Sequence, residues 1–312
     1  MRRRNMVNAM TGGRFGASRW LQRRWGGVSL RYRLEDLAFG LSGLCLSALP
    51  LESASWLSGR LWRVFGPRLG SRRQTRALAN LALAFPEKSA AEHAALAAAM
   101  WENLGRIFAE TFRLAAIAAS GRLTIEAPCD FGKTNEASVV CAAHQGNWEI
   151  AVLAVSAKTS AKPAGVYQRI KNPLVDARVR AMRGFLYPGG LYPKTPATPR
   201  QLIRHAREGG TLAVLADQRD MRGPRVPFFN RAAPSTPFPA MVARTLGLKL
   251  YAGEIIRNPN VRFTIRLVEI PVPQTEDREA DIVAATAALQ AEFERTIRLH
   301  PEQWMWSHRR WG

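Results

Sequence analysis

The chain has 312 residues, of which 47% are hydrophobic and 22% are charged, enough apolar material for a large core and too much for an intrinsically disordered protein. Lysine and arginine number 45 against 24 acidic residues, so the net charge of +21 indicates anionic partners such as nucleic acid, anionic lipid or an acidic protein. Three scattered cysteines form neither a disulfide framework nor a metal site. The absence of HExxH, GxxxxGKS and GxGxxG motifs argues against zinc hydrolases, P-loop NTPases and Rossmann dehydrogenases.

The first 33 residues form a basic tail with nine arginines and no acidic residue. Such a segment has little to bury, so we predict that it is mobile. Beside apolar sequence it is attracted to anionic lipid by roughly 1 kcal/mol per basic residue near the surface. An arginine-rich composition without a specific role is the alternative.

An apolar run at residues 34–49 follows the tail, and a second apolar stretch at 56–65 carries two arginines. As a helix the first run spans only about 24 Å, less than the roughly 30 Å of a hydrocarbon core. The second run is typical of an interfacial amphipathic helix. Because arginines flank the apolar run on both sides, both flanks are expected on the cytoplasmic side of a membrane. We predict a membrane-associated helical region over 34–120, with a buried helical hairpin as the alternative.

Alanine-rich periodic sequence at residues 72–120 predicts two or more helices in the second part of this region. Pro86 begins a loop that ends near Ser89. Ser89 and Glu92 have the spacing of a capping box, which predicts a helix start at this point.

The pattern changes at residue 121, where short apolar runs begin to alternate with helical ones. This alternation predicts an α/β core over 121–312, with a largely parallel mixed sheet flanked by helices. Strands are predicted at Ser138–Ala143, Ala164–Tyr167, Thr211–Ala216, Lys249–Ile256 and Val261–Ile270, the last as an antiparallel or edge strand because polar and apolar residues alternate in it. Helices are predicted at Trp148–Ser156, Asn172–Phe185, Pro199–Glu208, Pro237–Leu246 and Asp281–Leu299.

Two polar segments follow predicted strands, and active sites of such sheets lie at the carboxyl ends of the strands. His144 follows one strand and Asp217 follows another. With His144 on a strand tip and Glu149 in the first turns of the next helix, the two side chains can meet. Glu149 would then accept the Nδ1–H of His144 and leave Nε2 to take a proton from a substrate hydroxyl. An H-x4-E spacing alone is also common around structural histidines.

Several segments together resemble the lipid A biosynthesis (late, lauroyl/myristoyl) acyltransferases of the bacterial lysophospholipid acyltransferase superfamily. The HQGNWE segment from His144 to Glu149 resembles the H-x4-[DE] box in its HxGNWE form. Further similar segments are NLALAFPE (80–87), YQRIKNPLVD (167–176), ADQ (216–218), VPFFN with Thr236 (226–236) and WMWSHRRW (304–311). The resemblance covers residues 34–312 and implies a glycerolipid-acyltransferase-like fold.

The resemblance also implies a reaction and a set of site residues. A fatty acyl chain would move from an acyl carrier protein thioester to a hydroxyl of a lipid A precursor, with His144 as general base and Glu149 as its orienting partner. Neither a metal nor another cofactor is required. The candidate substrate-binding residues are Arg169, Asp217, Glu110, Arg183 and Arg219. The expected partners are acyl carrier protein, the lipid A precursor and an anionic membrane surface, without nucleic acid.

Departures from the family pattern and the tail residues carry further expectations. Gln168 stands where the family has arginine, so Arg169 or another arginine such as Arg183 would take that role. The oxyanion of the reaction needs hydrogen-bond donors, for which the backbone of the turn at 145–147 is the candidate. Trp304 and Trp306 are expected to pack on the sheet, with the lipid interface as the alternative.

Two other functions remain open at this point. One is the same chemistry on another membrane lipid, such as a glycerolipid, an ornithine-type lipid or a phosphoglycolipid, with acyl-CoA as a possible donor. The other is a basic, non-enzymatic protein that binds membranes or nucleic acid. Nucleic-acid readers interleave aromatic residues with a basic platform or carry a recognition helix, whereas this chain disperses its charge.

Overall fold

The computed structural model describes residues 24–25, 28–132 and 137–311. Most of the predicted basic tail lies outside these residues. Where the tail is described, β1 (Arg24–Trp25) pairs with β2 (Val28–Ser29) and helix α1 begins at Leu30; the mobility of the tail stays a prediction. The Ser29 hydroxyl accepts the backbone N–H of Tyr32, which caps this helix.

Helices make up the N-terminal part of the chain: α1 (Leu30–Ser47), α2 (Leu51–Leu69), α3 (Ser71–Ala84), α4 (Ala90–Thr111) and α5 (Leu114–Ala119). The predicted capping box is confirmed, since Ser89 and Glu92 bond reciprocally at the start of α4. Helices α2 and α4 approach closely because both carry small residues at their contact. The Ser58 hydroxyl donates to the carbonyl of Gly105 at 2.6 Å, and a Cβ on Gly105 would lie 2.5 Å from the Ser58 carbonyl oxygen.

The core is a seven-stranded mixed sheet in the order β3-β11-β10-β4-β7-β5-β6. Its strands are β3 (Leu123–Glu126), β4 (Ser138–Ala142), β5 (Pro163–Tyr167), β6 (Gly190–Pro193), β7 (Thr211–Leu215), β10 (Lys249–Asn258) and β11 (Arg262–Ile270). A separate hairpin joins β8 (Arg225–Phe228) to β9 (Arg231–Pro234). Strands β10, β4, β7, β5 and β6 run in one direction and β11 and β3 in the other, so the predicted antiparallel strand and the predicted largely parallel mixed sheet are confirmed.

Helices flank the sheet: α6 (Leu153–Lys158), α7 (Pro173–Arg183), α8 (Thr198–Arg207), α9 (Phe238–Leu246) and α10 (Arg278–Leu299). The helix predicted at Trp148–Ser156 is wrong in its first part, where a single 3₁₀ turn (Trp148–Ile150) precedes the short α6. Trp304 and Trp306 are fully buried, which confirms that they pack inside the protein.

The outer surface of α1 and α2 exposes large apolar side chains. Those of α1 recur at helical spacing, and the set is Leu34, Leu37, Leu41, Leu44, Trp56, Leu57, Leu61, Val64, Phe65 and Leu69. We call these residues the apolar face. Among the described residues, none of the helices has both the length and the apolar character needed to cross a bilayer.

Candidate active site

The site is built on the carboxyl ends of two adjacent parallel strands, β4 and β7. Ala142 is paired with Leu215 in their register, so His144 and Asp217, each two residues further along, come side by side. Their contact is direct: Nδ1 of His144 lies 2.7 Å from Oδ1 of Asp217, and the His144 backbone N–H donates to Oδ2 at 2.8 Å. An ionised carboxylate only accepts hydrogen bonds, so Nδ1 carries the proton and Nε2 is free to accept one.

Asp217 is fully buried, and its carboxylate also accepts a hydrogen bond from the indole N–H of Trp304, at 2.8 Å. Burial by itself would raise the pKa of this carboxyl. The positive charge that the His144 ring carries when it is protonated and the hydrogen bonds from its ring and backbone outweigh burial and hold the pKa of Asp217 well below its usual range. Asp217 therefore stays ionised and binds His144. Asp217, a candidate for substrate binding in the sequence analysis, is not among the described residues that line the cavity, and its contacts with His144 are those of a positioning residue.

Glu149 does not reach His144, which corrects the predicted pairing of these two residues. The Glu149 carboxylate binds a guanidinium nitrogen of Arg183 at 2.5 Å and accepts the indole N–H of Trp148 at 3.2 Å. Because Glu149 lies in a 3₁₀ turn instead of the expected α-helix, its side chain is directed to the end of α7. The Trp148 ring packs against His144 instead, with ring centroids 5.1 Å apart.

A cavity of about 570 Å³ opens beside the ion pair of Glu149 and Arg183, and both of these side chains line it. One part of its wall is apolar, from α2 and α4, and the other part is basic. The lining residues are Trp62, Arg73, Arg76, Leu104, Ile107, Phe108, Thr111, Trp148, Glu149, Arg183, Gln218, Arg219, Met305, Ser307, His308 and Arg309. The Gln218 amide nitrogen lies 3.5 Å from Nε2 of His144, which connects the histidine to the cavity.

The predicted substrate-binding arginines separate into two groups. Arg183 and Arg219 line the cavity. Arg169 is exposed and is not among the described residues that line the cavity, and substrate contact by any of the three stays a prediction. The loop that carries it is closed by Asp176, which accepts the hydroxyl of Tyr167 at 3.2 Å and the backbone N–H of Ile170 at 2.9 Å.

Glu110 is a buried structural residue, which corrects the prediction that it faces the cleft. It is fully buried and forms a two-fold ion pair with Arg257, at 2.5 and 2.9 Å. It also accepts the Ser55 hydroxyl and the side-chain amide of Asn147. Glu110 therefore acts on the site indirectly, through Asn147, which belongs to the turn that follows His144.

Backbone N–H groups of the turn at 145–147 already donate hydrogen bonds within the protein. The Gln145 N–H donates to the Ala143 carbonyl at 2.7 Å, and the Gly146 N–H donates to the Gln303 carbonyl at 3.1 Å. These two N–H groups therefore do not serve as the predicted oxyanion donors.

His308 belongs to the site and is a residue that the sequence analysis did not single out. Its ring meets the His144 ring edge-on, with centroids 4.5 Å apart, and both ring nitrogens are buried without a hydrogen-bond partner among the described residues. Burial and the neighbouring charge of His144 lower the pKa of His308 to about 3. The only signal in the sequence was its place in the resembling tail segment.

His144, Asp217 and His308 also form the one group among the described residues with ligand atoms spaced for a metal ion, all within 4.8 Å of one another. Asp217 already accepts three hydrogen bonds, two from His144 and one from Trp304. Little lone-pair capacity remains on that carboxylate, so the donor set fits a hydrogen-bonded histidine better than a metal ion.

Comparison with known proteins gives one match. The sequence model of a protein family described as "Bacterial lipid A biosynthesis acyltransferase" matches residues 30–312. None of the curated proteins matches the chain.

Proposed function

Because the chain belongs to the bacterial lipid A biosynthesis acyltransferase family, we propose that it transfers a fatty acyl chain from an acyl carrier protein thioester to a hydroxyl of a lipid A precursor. The observation that carries the proposal is the hydrogen bond between Nδ1 of His144 and Asp217 at the edge of the cavity. That bond leaves Nε2 as the one basic nitrogen available to an acceptor hydroxyl.

In the proposed reaction His144 is the general base. Its Nε2 takes the proton of the acceptor hydroxyl as that oxygen attacks the thioester carbonyl. The tetrahedral intermediate then collapses, the C–S bond breaks, and the proton on Nε2 passes to the leaving thiolate. Asp217 orients the ring and stabilises the imidazolium that forms between these steps, so it is a positioning residue.

Glu149 and Arg183 have a different role in this proposal. The carboxylate of Glu149 holds the Arg183 guanidinium on the cavity wall. There the guanidinium, together with the Gln218 amide, can donate hydrogen bonds to the oxyanion of the tetrahedral intermediate. These side-chain donors take the place of the backbone N–H groups of Gln145 and Gly146, which already donate hydrogen bonds within the protein.

The apolar face of α1 and α2 is the proposed membrane-binding surface, and its occupant is an anionic bilayer. Arginines 31, 33, 60 and 68 are exposed on the same two helices, which suits anionic lipid headgroups. Helix α2 also places Trp62 in the cavity wall, so the membrane surface and the cavity share one helix. We place the protein on the cytoplasmic face of the inner membrane.

The decisive experiment is mass spectrometry of the purified protein incubated with acyl carrier protein thioester and a lipid A precursor. The expected product is the precursor heavier by one acyl group. His144→Ala should slow turnover by about 10²- to 10⁴-fold, because general base catalysis contributes that much. A circular dichroism spectrum and melting temperature equal to wild type would show that the variant is folded. Wild-type turnover in the folded variant would refute the proposed base.

Parallel reactions decide between the proposed substrates and the alternatives. Acyl-CoA replaces the carrier protein thioester in one, and glycerolipid or ornithine-type lipid acceptors replace the lipid A precursor in others. Faster acylation of another lipid would reassign the acceptor. Absence of acylation in every combination would favour a non-enzymatic membrane-binding protein.

Membrane binding is tested separately with vesicles that contain anionic phospholipid. Leu37→Asp/Leu41→Asp should reduce co-sedimentation, because both leucines are exposed on the apolar face. Leu299→Asp is the matched control, an exposed leucine at the end of α10. Equal sedimentation of the three proteins would refute the assigned surface.

A further inference from the structure

The basic wall of the cavity is formed by four arginines from three separate parts of the chain. Arg73 and Arg76 lie on α3, Arg219 follows β7, and Arg309 belongs to the C-terminal tail. Burial lowers the pKa of Arg76, and the charges of Arg309, Arg73 and Arg219 lower it further. The four guanidinium groups therefore lie near one another on one side of the cavity.

This arrangement concentrates like charge on one side of the cavity. Among the described residues that line the cavity, Glu149 is the only acid, and its carboxylate binds Arg183. Arg76 is fixed by a hydrogen bond of 3.0 Å to the Ser307 carbonyl, so it is held beside the other cations. Mutual repulsion of such groups destabilises the empty cavity, and a bound anion would relieve it.

The basic wall also lies next to the catalytic histidine. The charges of Arg73 and Arg76 contribute to the low pKa of His308, whose ring touches that of His144. An anionic group bound at these arginines is thus held in the cavity whose wall includes Gln218, the residue whose amide nitrogen lies 3.5 Å from Nε2 of His144. It can anchor one end of a substrate while another part of that substrate reaches the base.

We propose that Arg73, Arg76, Arg219 and Arg309 form a phosphate subsite for the acceptor, a refinement that rests on the proposed acyl transfer to a phosphorylated sugar lipid. Guanidinium groups bind phosphate oxygens bidentately. A phosphate monoester carries a charge of about −1.5 to −2 and three terminal oxygens, so it suits four arginines. The phosphodiester of the carrier protein's thioester arm carries one charge and two free oxygens, a poorer match.

A binding experiment tests the subsite without turnover. Glucosamine 1-phosphate is titrated into the protein by calorimetry at low ionic strength, with glucosamine, which lacks the phosphate, as the control. We expect the sugar phosphate to bind and glucosamine to bind far more weakly. Arg73→Gln/Arg309→Gln removes two exposed members of the wall and should weaken binding about ten- to a hundredfold.

The matched control is Arg72→Gln/Arg200→Gln. It removes the same charge from exposed positions that are not among the described lining residues. Binding as in wild type is expected for this control. Equal weakening by both double variants would show a general charge effect and overturn the subsite. The same conclusion follows if wild type does not bind glucosamine 1-phosphate.

Kinetics then identify which substrate supplies the phosphate. The cavity variant should raise KM for a phosphorylated lipid acceptor and leave KM for its dephosphorylated form unchanged. Donors with and without the phosphodiester arm, acyl carrier protein thioester and an acyl N-acetylcysteamine thioester, are compared in parallel. A defect that depends on the donor arm would overturn the assignment to the acceptor. Failure of all acyl transfer would refute the proposed function while leaving the binding result to decide the subsite.

Discussion

Asp217 accepts two hydrogen bonds from His144, one from ring Nδ1 at 2.7 Å and one from the backbone N–H at 2.8 Å. The two bonds fix both the position of the residue and the rotation of its ring. Since the carboxylate sets the tautomer, Nε2 is presented to the cavity as an acceptor. The register of β4 and β7 thereby determines the protonation pattern of the proposed base.

Asp217→Asn tests this relationship most directly. An amide can donate to Nδ1 and so favour the wrong tautomer, with the proton on Nε2. We expect kcat to fall by about 10²- to 10⁴-fold, while the melting temperature changes little. Asp220→Asn, three residues further along the same segment, is the control and should retain activity. Full activity of Asp217→Asn in a steady-state assay would show that the contact has no catalytic role.

Glu149 and Arg183 should behave as one unit. If Glu149 acts by holding Arg183, then Glu149→Ala and Arg183→Ala lower kcat/KM by similar factors, and the double variant is no worse than either single one. A double-mutant cycle measured by steady-state kinetics gives the coupling. Additive losses would instead assign separate tasks to the two side chains.

Glu110→Ala should act on stability. The substitution leaves Arg257, whose side chain is 11% exposed, without its buried partner, and breaking a buried ion pair costs about 3–5 kcal/mol. Urea unfolding is expected to show that loss in the free energy of unfolding. The exposed pair at Arg31 and Glu35 provides the comparison, since Glu35→Ala should cost less than about 1 kcal/mol. A raised KM together with an unchanged free energy of unfolding would instead show that Glu110 faces the cleft.

His308 makes stability depend on pH in a defined direction. Its pKa of about 3 in the folded chain lies below the ordinary histidine value, so between about pH 6.5 and 3 the unfolded chain binds a proton that the folded chain does not. The free energy of unfolding therefore falls as pH decreases, by up to about 1.4 kcal/mol per pH unit. His308→Gln should flatten this slope in urea titrations, whereas His300→Gln in the same tail should retain it. Equal slopes in all three proteins would contradict a buried neutral His308.

The sheet was predictable from the sequence because its central strands are short apolar runs between helical segments. The runs at Ser138–Ala143 and Thr211–Ala216 match β4 and β7 to within one residue. Strands β3 and β6 have four residues each and are only half-buried, so they give little hydrophobic signal. Their pairing depends on neighbours far along the chain.

The site was partly predictable for a related reason. The sequence places His144 and Asp217 at strand tips, but neighbouring strands cannot be identified from spacing alone. Glu149 is much nearer to His144 along the chain than Asp217 is, so the sequence favoured Glu149 as the partner of the histidine, whereas the partner in the structure is Asp217. A 3₁₀ turn in place of an α-helix then directs Glu149 to Arg183. His308 and Arg73 reach the cavity through tertiary contacts that local patterns do not contain.

The segment at residues 304–308 links two distant parts of the chain. Trp304 binds Asp217, and the Asn80 amide binds the carbonyls of Trp306 and His308, which lie 226 and 228 residues later in the chain. One segment therefore supports the carboxylate that orients His144 and at the same time fastens α3 to the sheet domain. Any change that displaces residues 304–308 would disturb Asp217 and the packing of α3 together, so damage to this segment would reach the site without touching His144 itself.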